Sequence, residues 1–176
     1  MTRIRSCLAA LCCALFAAGV VAQGAVAQPD TTHEIERAYR AGDQAGALQR
    51  LDRAIEAQPR DAQLRFLKGV LLAESGRNAE AVELYFRLTQ EYPELPEPFN
   101  NLAVLQAALG QLEEARDSLQ IALRNDPTYA TAHENLGDVY VRLAMREYTR
   151  SGSRSPELQR KLELARQLAT RPARGS

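Results

Sequence analysis

The stretch PEPFNNLAVLQAALGQLEEARDSLQIALRNDP, residues 96–127, decides how the chain folds. It carries two apolar stripes. Phe99, Leu102 and Ala103 form the first, and Leu112, Ala115, Leu119 and Ala122 form the second. Their three- and four-residue steps follow one face of an α-helix. Gly110 falls between the stripes and Pro127 follows the second. Glycine ends helices by taking a left-handed conformation, and proline cannot continue one. The stretch therefore reads as helix, turn, helix, stop.

The same punctuation recurs on both sides. Gly42, Gly76 and Gly110 are 34 residues apart, as are Ala47, Ala81 and Ala115, and Pro59, Pro93 and Pro127. A fourth column holds the small residues Gly69, Ala103 and Gly137, with Ile35 at the equivalent place in the first copy. Self-similarity at a fixed period is the mark of a repeat architecture. The alanine and small-residue columns let paired helices approach closely, since the side chains at a contact set interhelical distance.

A 34-residue unit with Leu102 and Leu136 before Ala103 and Gly137, Tyr140 three residues further on, and closing prolines resembles the tetratricopeptide repeat. The resemblance implies an all-α fold, a right-handed α-solenoid of helix-turn-helix units. The expected units are 28–61, 62–95 and 96–129, with a partial fourth over 130–150. A linker over 151–155, a capping helix over 156–169 and a frayed tail over 170–176 complete the chain. The early aromatic of the family unit is Phe99 in the third copy, but Thr31, Arg65 and His133 elsewhere. Lys68 replaces the leucine of the later copies, and its ammonium is expected to reach water past a buried stem. No glycine stands at 144, so one long helix or a poorly separated pair is expected over 130–150. A terminal repeat needs a cap over its apolar face, and the stripe Leu158, Leu162, Ala165 and Ala169 supplies one.

The first residues follow a different logic. Arg3 and Arg5 precede an uncharged run over 7–21, and small residues including Ala25, Val26 and Ala27 follow. That order is expected of a secretory signal peptide over 1–27, with a second cut site after Ala22. The rival is a retained anchor, against which the shortness of the run argues. Cys7, Cys12 and Cys13 all fall in this segment, so the mature chain would have no thiol chemistry. Export, with a periplasmic location in a two-membrane envelope, is the expectation. The 20 arginines against 2 lysines suggest a GC-rich bacterial source.

Composition narrows the function. The chain balances 22 Lys+Arg against 22 Asp+Glu, which disfavours nucleic acid as a partner. No membrane span is expected in the mature chain. His33 and His133 stand in different units, no metal-ligand spacing is present, and no nucleophile elbow or phosphate loop occurs. No cofactor, no metal site and no enzyme activity are expected.

The resemblance implies that the first helices line a concave groove receiving a peptide or protein segment; with the signal peptide, the expectation is a non-catalytic scaffold in envelope complex assembly. The residues placed there are Tyr39 and Arg40, then Gln63, Phe66 and Val70. Asn100, Asn101, Val104 and Ala107 follow from the third unit, and Glu134, Asn135, Asp138 and Arg142 from the fourth. Asn101 and Asn135 can grip a peptide backbone, or they bond locally. Phe66 and Val70 make a ligand pocket, or they pack against the next unit. The places where some family members hold a carboxylate carry Phe66, Val70, Glu97 and Asn100, so that clamp is not expected. Two other readings remain: a small-ligand binder or enzyme built on Glu134, Asn135 and Asp138, and a structural subunit that oligomerises through its edges.

The zero net charge hides an asymmetry. Residues 29–129 carry 11 basic and 17 acidic side chains, while residues 130–176 carry 9 basic and 5 acidic. A basic end on an acidic body docks a partner, or it solvates its own helix.

Overall fold

The computed structural model describes residues 32–152 and 154–169, and the regular structure among them is entirely helical. The signal segment 1–27 and the tail 170–176 lie outside the described residues. Eight helices follow in hairpins: α1 (Thr32–Arg40) with α2 (Gln44–Ala57), α3 (Ala62–Glu74) with α4 (Asn78–Glu91), α5 (Pro96–Ala108) with α6 (Leu112–Asn125), and α7 (Ala130–Arg150) with α8 (Pro156–Ala169). This is the all-α repeat stack that the 34-residue period implies.

Each column has a visible job. Gly42, Gly76 and Gly110 have φ of 96°, 77° and 81°, the left-handed region where a β-carbon is penalised. The following N–H reaches back five residues in every case. Asp43 donates to the Ala38 carbonyl at 3.1 Å, Arg77 to Leu72 at 2.9 Å and Gln111 to Gln106 at 3.0 Å. Carbonyls orphaned at the helix end are thereby satisfied. Pro59, Pro93 and Pro127 stand second in four-residue turns, closed by Asp61 N–H to the Gln58 carbonyl (3.0 Å), Leu95 to Tyr92 (3.2 Å) and Tyr129 to Asp126 (3.2 Å). Proline pre-sets the backbone for that turn position.

The small columns hold the hairpins together. Ala47, Ala81 and Ala115 are fully buried where paired helices meet. A β-carbon on Gly69 would fall 2.6 Å from Cε1 of Tyr85, so the ring of α4 lies directly on the α3 backbone. Ala103 is likewise fully buried. Gly137 differs: it is exposed, and a β-carbon there would meet nothing within 4 Å.

The fourth unit explains that difference. α3 and α5 have 13 residues each, whereas α7 has 21. Residue 144 is alanine, so α7 continues until Gly152, whose φ is 63°. Eight extra residues lengthen a helix by about 12 Å. α8 has 14 residues, as do α2, α4 and α6. It therefore starts at a higher level than α4 and α6 do. Leu162 and Ala165 are its buried face.

Three apolar clusters fill the stack, and polar links tie units together. The Tyr39 hydroxyl donates to the Leu71 carbonyl at 3.2 Å, Tyr92 to the Arg60 carbonyl at 2.7 Å, and the Asn125 amide to the Pro93 carbonyl at 2.7 Å. Arg146 of α7 pairs with Glu113 of α6 across units, and Arg65 pairs with Glu91 within the second unit. Lys68, expected to carry its ammonium out past a buried stem, keeps a side chain 32 % exposed and meets Asp52 of α2 at 2.6 Å. The acid opposite captures the ammonium that its stem carries past the apolar seam.

Candidate functional site

The first helices of the units share a repeating inner face. Val70, Val104 and Asp138 lie 34 residues apart and take the same place on α3, α5 and α7. Two cavities open along this line. One of about 180 Å³ is lined by Val70, Ala73, Glu74, Tyr85, Asn101, Val104 and Leu105. The other, of about 310 Å³, has walls from Val104, Ala107 and Ala108 of α5, Asn135, Asp138 and Arg142 of α7, and Leu168 and Ala169 of α8. Ala103, Leu119 and Val139 also line it. Val104 belongs to both and is 46 % exposed, so it forms the ridge between them.

The cavity walls are alanine where the chain could have carried larger side chains. Small residues at 73, 103, 107 and 108 leave space that a longer side chain would fill. Such concave, mostly apolar sites with a few polar groups are where ligands bind.

An amide relay runs beneath the face. Asn135 Nδ2 donates to Asn100 Oδ1 at 2.8 Å, Asn100 Nδ2 to Asn101 Oδ1 at 3.1 Å, and Asn101 Nδ2 to the Tyr85 hydroxyl oxygen at 3.1 Å. It joins α7, α5 and α4. Burial pushes the Tyr85 phenol up to about 12, against the smaller opposing effect of the Asn101 hydrogen bond. The phenol is thus neutral at any physiological pH.

The sequence-derived groove residues divide into three groups. Val70, Asn101, Val104, Ala107, Asn135, Asp138 and Arg142 line the two cavities. Asn100 and Tyr39 are interior, 3 % and 7 % exposed, because their polar ends serve contacts between units. Phe66 is half-buried and sets its ring 5.7 Å from that of Tyr85, while Arg40, Gln63 and Glu134 are exposed away from both cavities. Asn101 and Asn135 bond to other side chains, neither to local backbone nor to open groove. Glu134, Asn135 and Asp138 do not converge, since Asn135 is tied to Asn100 and Glu134 lies off the cavity wall.

Sequence reasoning missed Tyr85, Glu74, Ala108, Leu168 and Ala169. Tyr85 had a signal: Gly69 leaves room that a facing ring can fill. Leu168 and Ala169 had none, because their place depends on the length of α7.

Among the described residues, no group of His, Cys, Asp and Glu is placed to hold a metal ion, and no helix is long and apolar enough to cross a membrane. Two family models match the chain. A tetratricopeptide repeat model covers residues 34–96, and a TPR repeat model covers residues 105–143. The chain belongs to the tetratricopeptide repeat family.

This tetratricopeptide repeat chain is 42 % identical over 82 residues to the TPR repeat-containing thioredoxin TTL4 of Arabidopsis thaliana, a match covering 47 % of this chain and 12 % of that protein. The chain thus spans a small part of that relative's length. Its fold is similar to MamA, at a TM-score of 0.58 and 20 % identity, covering 76 % of this chain and 82 % of that one. It is similar to the first TPR of Spaghetti (RPAP3) bound to the HSP90 peptide SRMEEVD, at 0.59 and 17 % identity, covering 64 % and 90 %. YrrB, a TPR protein with an unusual peptide-binding site, matches at 0.53 and 26 % identity over 58 % and 53 %.

Proposed function

We propose that the chain is a non-catalytic scaffold whose inner groove receives an extended peptide or protein segment. The observation that carries this is the pair of cavities meeting at Val104. Two apolar pockets separated by one ridge suit alternate side chains of an extended strand, which places neighbours on one face about 7 Å apart. The solved relatives whose names mention a bound peptide or a peptide-binding site support the same use.

The export reading is part of this proposal. The charged, apolar and small-residue order over 1–27 supports cleavage and transfer out of a bacterial cytoplasm, to the periplasm where two membranes exist. Recovery of the chain from the periplasmic fraction, starting at Gln28 or Gln23, would bear it out. Recovery only from the cytoplasm, uncut, would refute it.

The groove is tested with a displayed library of random nine-residue peptides, selected on the chain and titrated by calorimetry. Val104→Glu, a change at an exposed ridge, should leave stability within about 0.5 kcal/mol. The same variant should weaken the selected peptides at least tenfold. Equal binding by the variant would remove the groove from consideration.

A further inference from the structure

Asp138 and Arg142 stand four residues apart on α7, and both line the larger cavity. An acid placed four residues before a base is the favourable order for opposite charges to meet on a helix. Elsewhere in the stack that spacing closes: Glu36 meets Arg40, Glu83 meets Arg87 and Glu157 meets Lys161, each at 2.7 Å. Asp138 and Arg142 do not meet, and neither side chain makes an ion pair or hydrogen bond with any other described residue. Arg146, one turn on, is taken by Glu113. An acceptor and a donor are thus held open on the wall of a mostly apolar cavity.

The opening continues across the groove. Val70, Val104 and Asp138 form one row over α3, α5 and α7, while Glu74, Ala108 and Arg142 form a second, one turn further along each helix. All six residues line one cavity or the other. Between the rows runs a channel that crosses the three helices and passes over both cavities.

The geometry points to a main-chain clamp: an extended segment lies in this channel, crosses α7 between Asp138 and Arg142, and is held there by its backbone. This rests on the peptide-binding reading above and specifies what the α7 end of the groove recognises.

The chemistry of the pair matches a backbone. An extended chain offers one N–H and one C=O per residue, and those of neighbouring residues point to opposite edges. Asp138, an acceptor, takes an N–H on one edge, and Arg142, a donor only, gives to a carbonyl on the other. The chain passing between them is what the open pair accommodates. A neutral main chain suits one charge of each sign, whereas a charged side chain would be drawn by one partner and repelled by the other. The amides that could have done this work are committed elsewhere, Asn135 to Asn100 and Asn101 to Tyr85. Side chains of an extended segment stand off its two faces, so its edges can be gripped while one set of side chains enters the cavities. Recognition at α7 is therefore indifferent to sequence, and selectivity falls to the cavities.

The test uses a nine-residue peptide selected on the full chain from the displayed library, with copies methylated at one backbone nitrogen at a time. Calorimetry measures each against the full chain, Asp138→Ala, Asp138→Asn and Arg142→Met, and thermal unfolding checks that all four proteins are folded. Losing a hydrogen bond to a charged group should weaken the unmethylated peptide about tenfold in Asp138→Ala and in Arg142→Met. Asp138→Asn keeps an acceptor and should recover part of that loss. At one position, methylation should cost the full chain about tenfold, cost Arg142→Met the same, and cost Asp138→Ala nothing further. Equal binding by the full chain, Asp138→Ala and Arg142→Met would overturn the clamp and leave the groove reading standing. Losses that add at every methylated position would also overturn it. So would a loss in Asp138→Ala that disappears when a basic side chain of the peptide is replaced by norleucine, because Asp138 would then hold a side chain. If the full chain selects no peptide, the groove reading falls and the clamp falls with it.

Discussion

The side-chain amide of Asn135 donates to Oδ1 of Asn100 at 2.8 Å, bridging α7 and α5 across 35 positions of sequence. Asn100 is 3 % exposed and passes the relay on to Asn101. Asn100→Ala should therefore cost about 1–3 kcal/mol, since it strands two amide partners at once. Asn135→Ala should cost less, because Asn100 keeps its bond to Asn101. Urea unfolding of both single variants and the double variant would measure this. Full additivity would show that the two amides are not coupled.

Gly69 and Gly137 occupy the same column and should respond oppositely to one methyl group. Gly69→Ala drives a β-carbon into the Tyr85 ring, 2.6 Å away, and should destabilise by about 1–3 kcal/mol through overpacking. Gly137→Ala meets open space inside a helix and should stabilise by about 0.5–1 kcal/mol. Thermal unfolding checks both signs.

The turn column can be exchanged in both directions. Gly110→Ala forces alanine to a φ of 81° and should cost about 1–2 kcal/mol. Ala144→Gly places glycine inside α7 and should cost about 1 kcal/mol. A gain of stability for Gly110→Ala would show that its left-handed backbone is not what ends α5.

Acid should loosen the α6–α7 contact. The Arg146 guanidinium, bonded to Glu113, holds its carboxyl at about 2, against an ordinary value of 4.5. The folded carboxylate is the stronger acid, so its stabilisation is complete above 4.5 and is lost as pH falls toward 2. Arg146→Met should flatten stability against pH across that window. An unchanged slope, read from urea midpoints at successive pH values, would remove the pair from the acid response.

The repeat stack was legible because its signals are local and redundant. Glycine, alanine and proline at fixed spacing each report a backbone or contact requirement of their own. The groove was legible only as a set of places. Val70, Val104 and Asp138 could be put on one face by counting in steps of 34. Whether a polar residue there faces outward depends on partners that counting does not supply. Asn100 turned inward because Asn135 arrives from the next unit, and Tyr39 because the Leu71 carbonyl awaits its hydroxyl. Leu168 reached the cavity through a helix length, which is a property of the whole fourth hairpin.

That hairpin bears on how such an array can grow. Duplication adds units cleanly only while each copy delivers its chain to the same starting level. With alanine at 144, α7 runs eight residues longer than α3 and α5, so α8 starts about two helical turns, or 12 Å, out of step with the second helices before it. A copy that inherited this alanine would start its own second helix off level in the same way. One column without its glycine thus shifts the level of a whole helix.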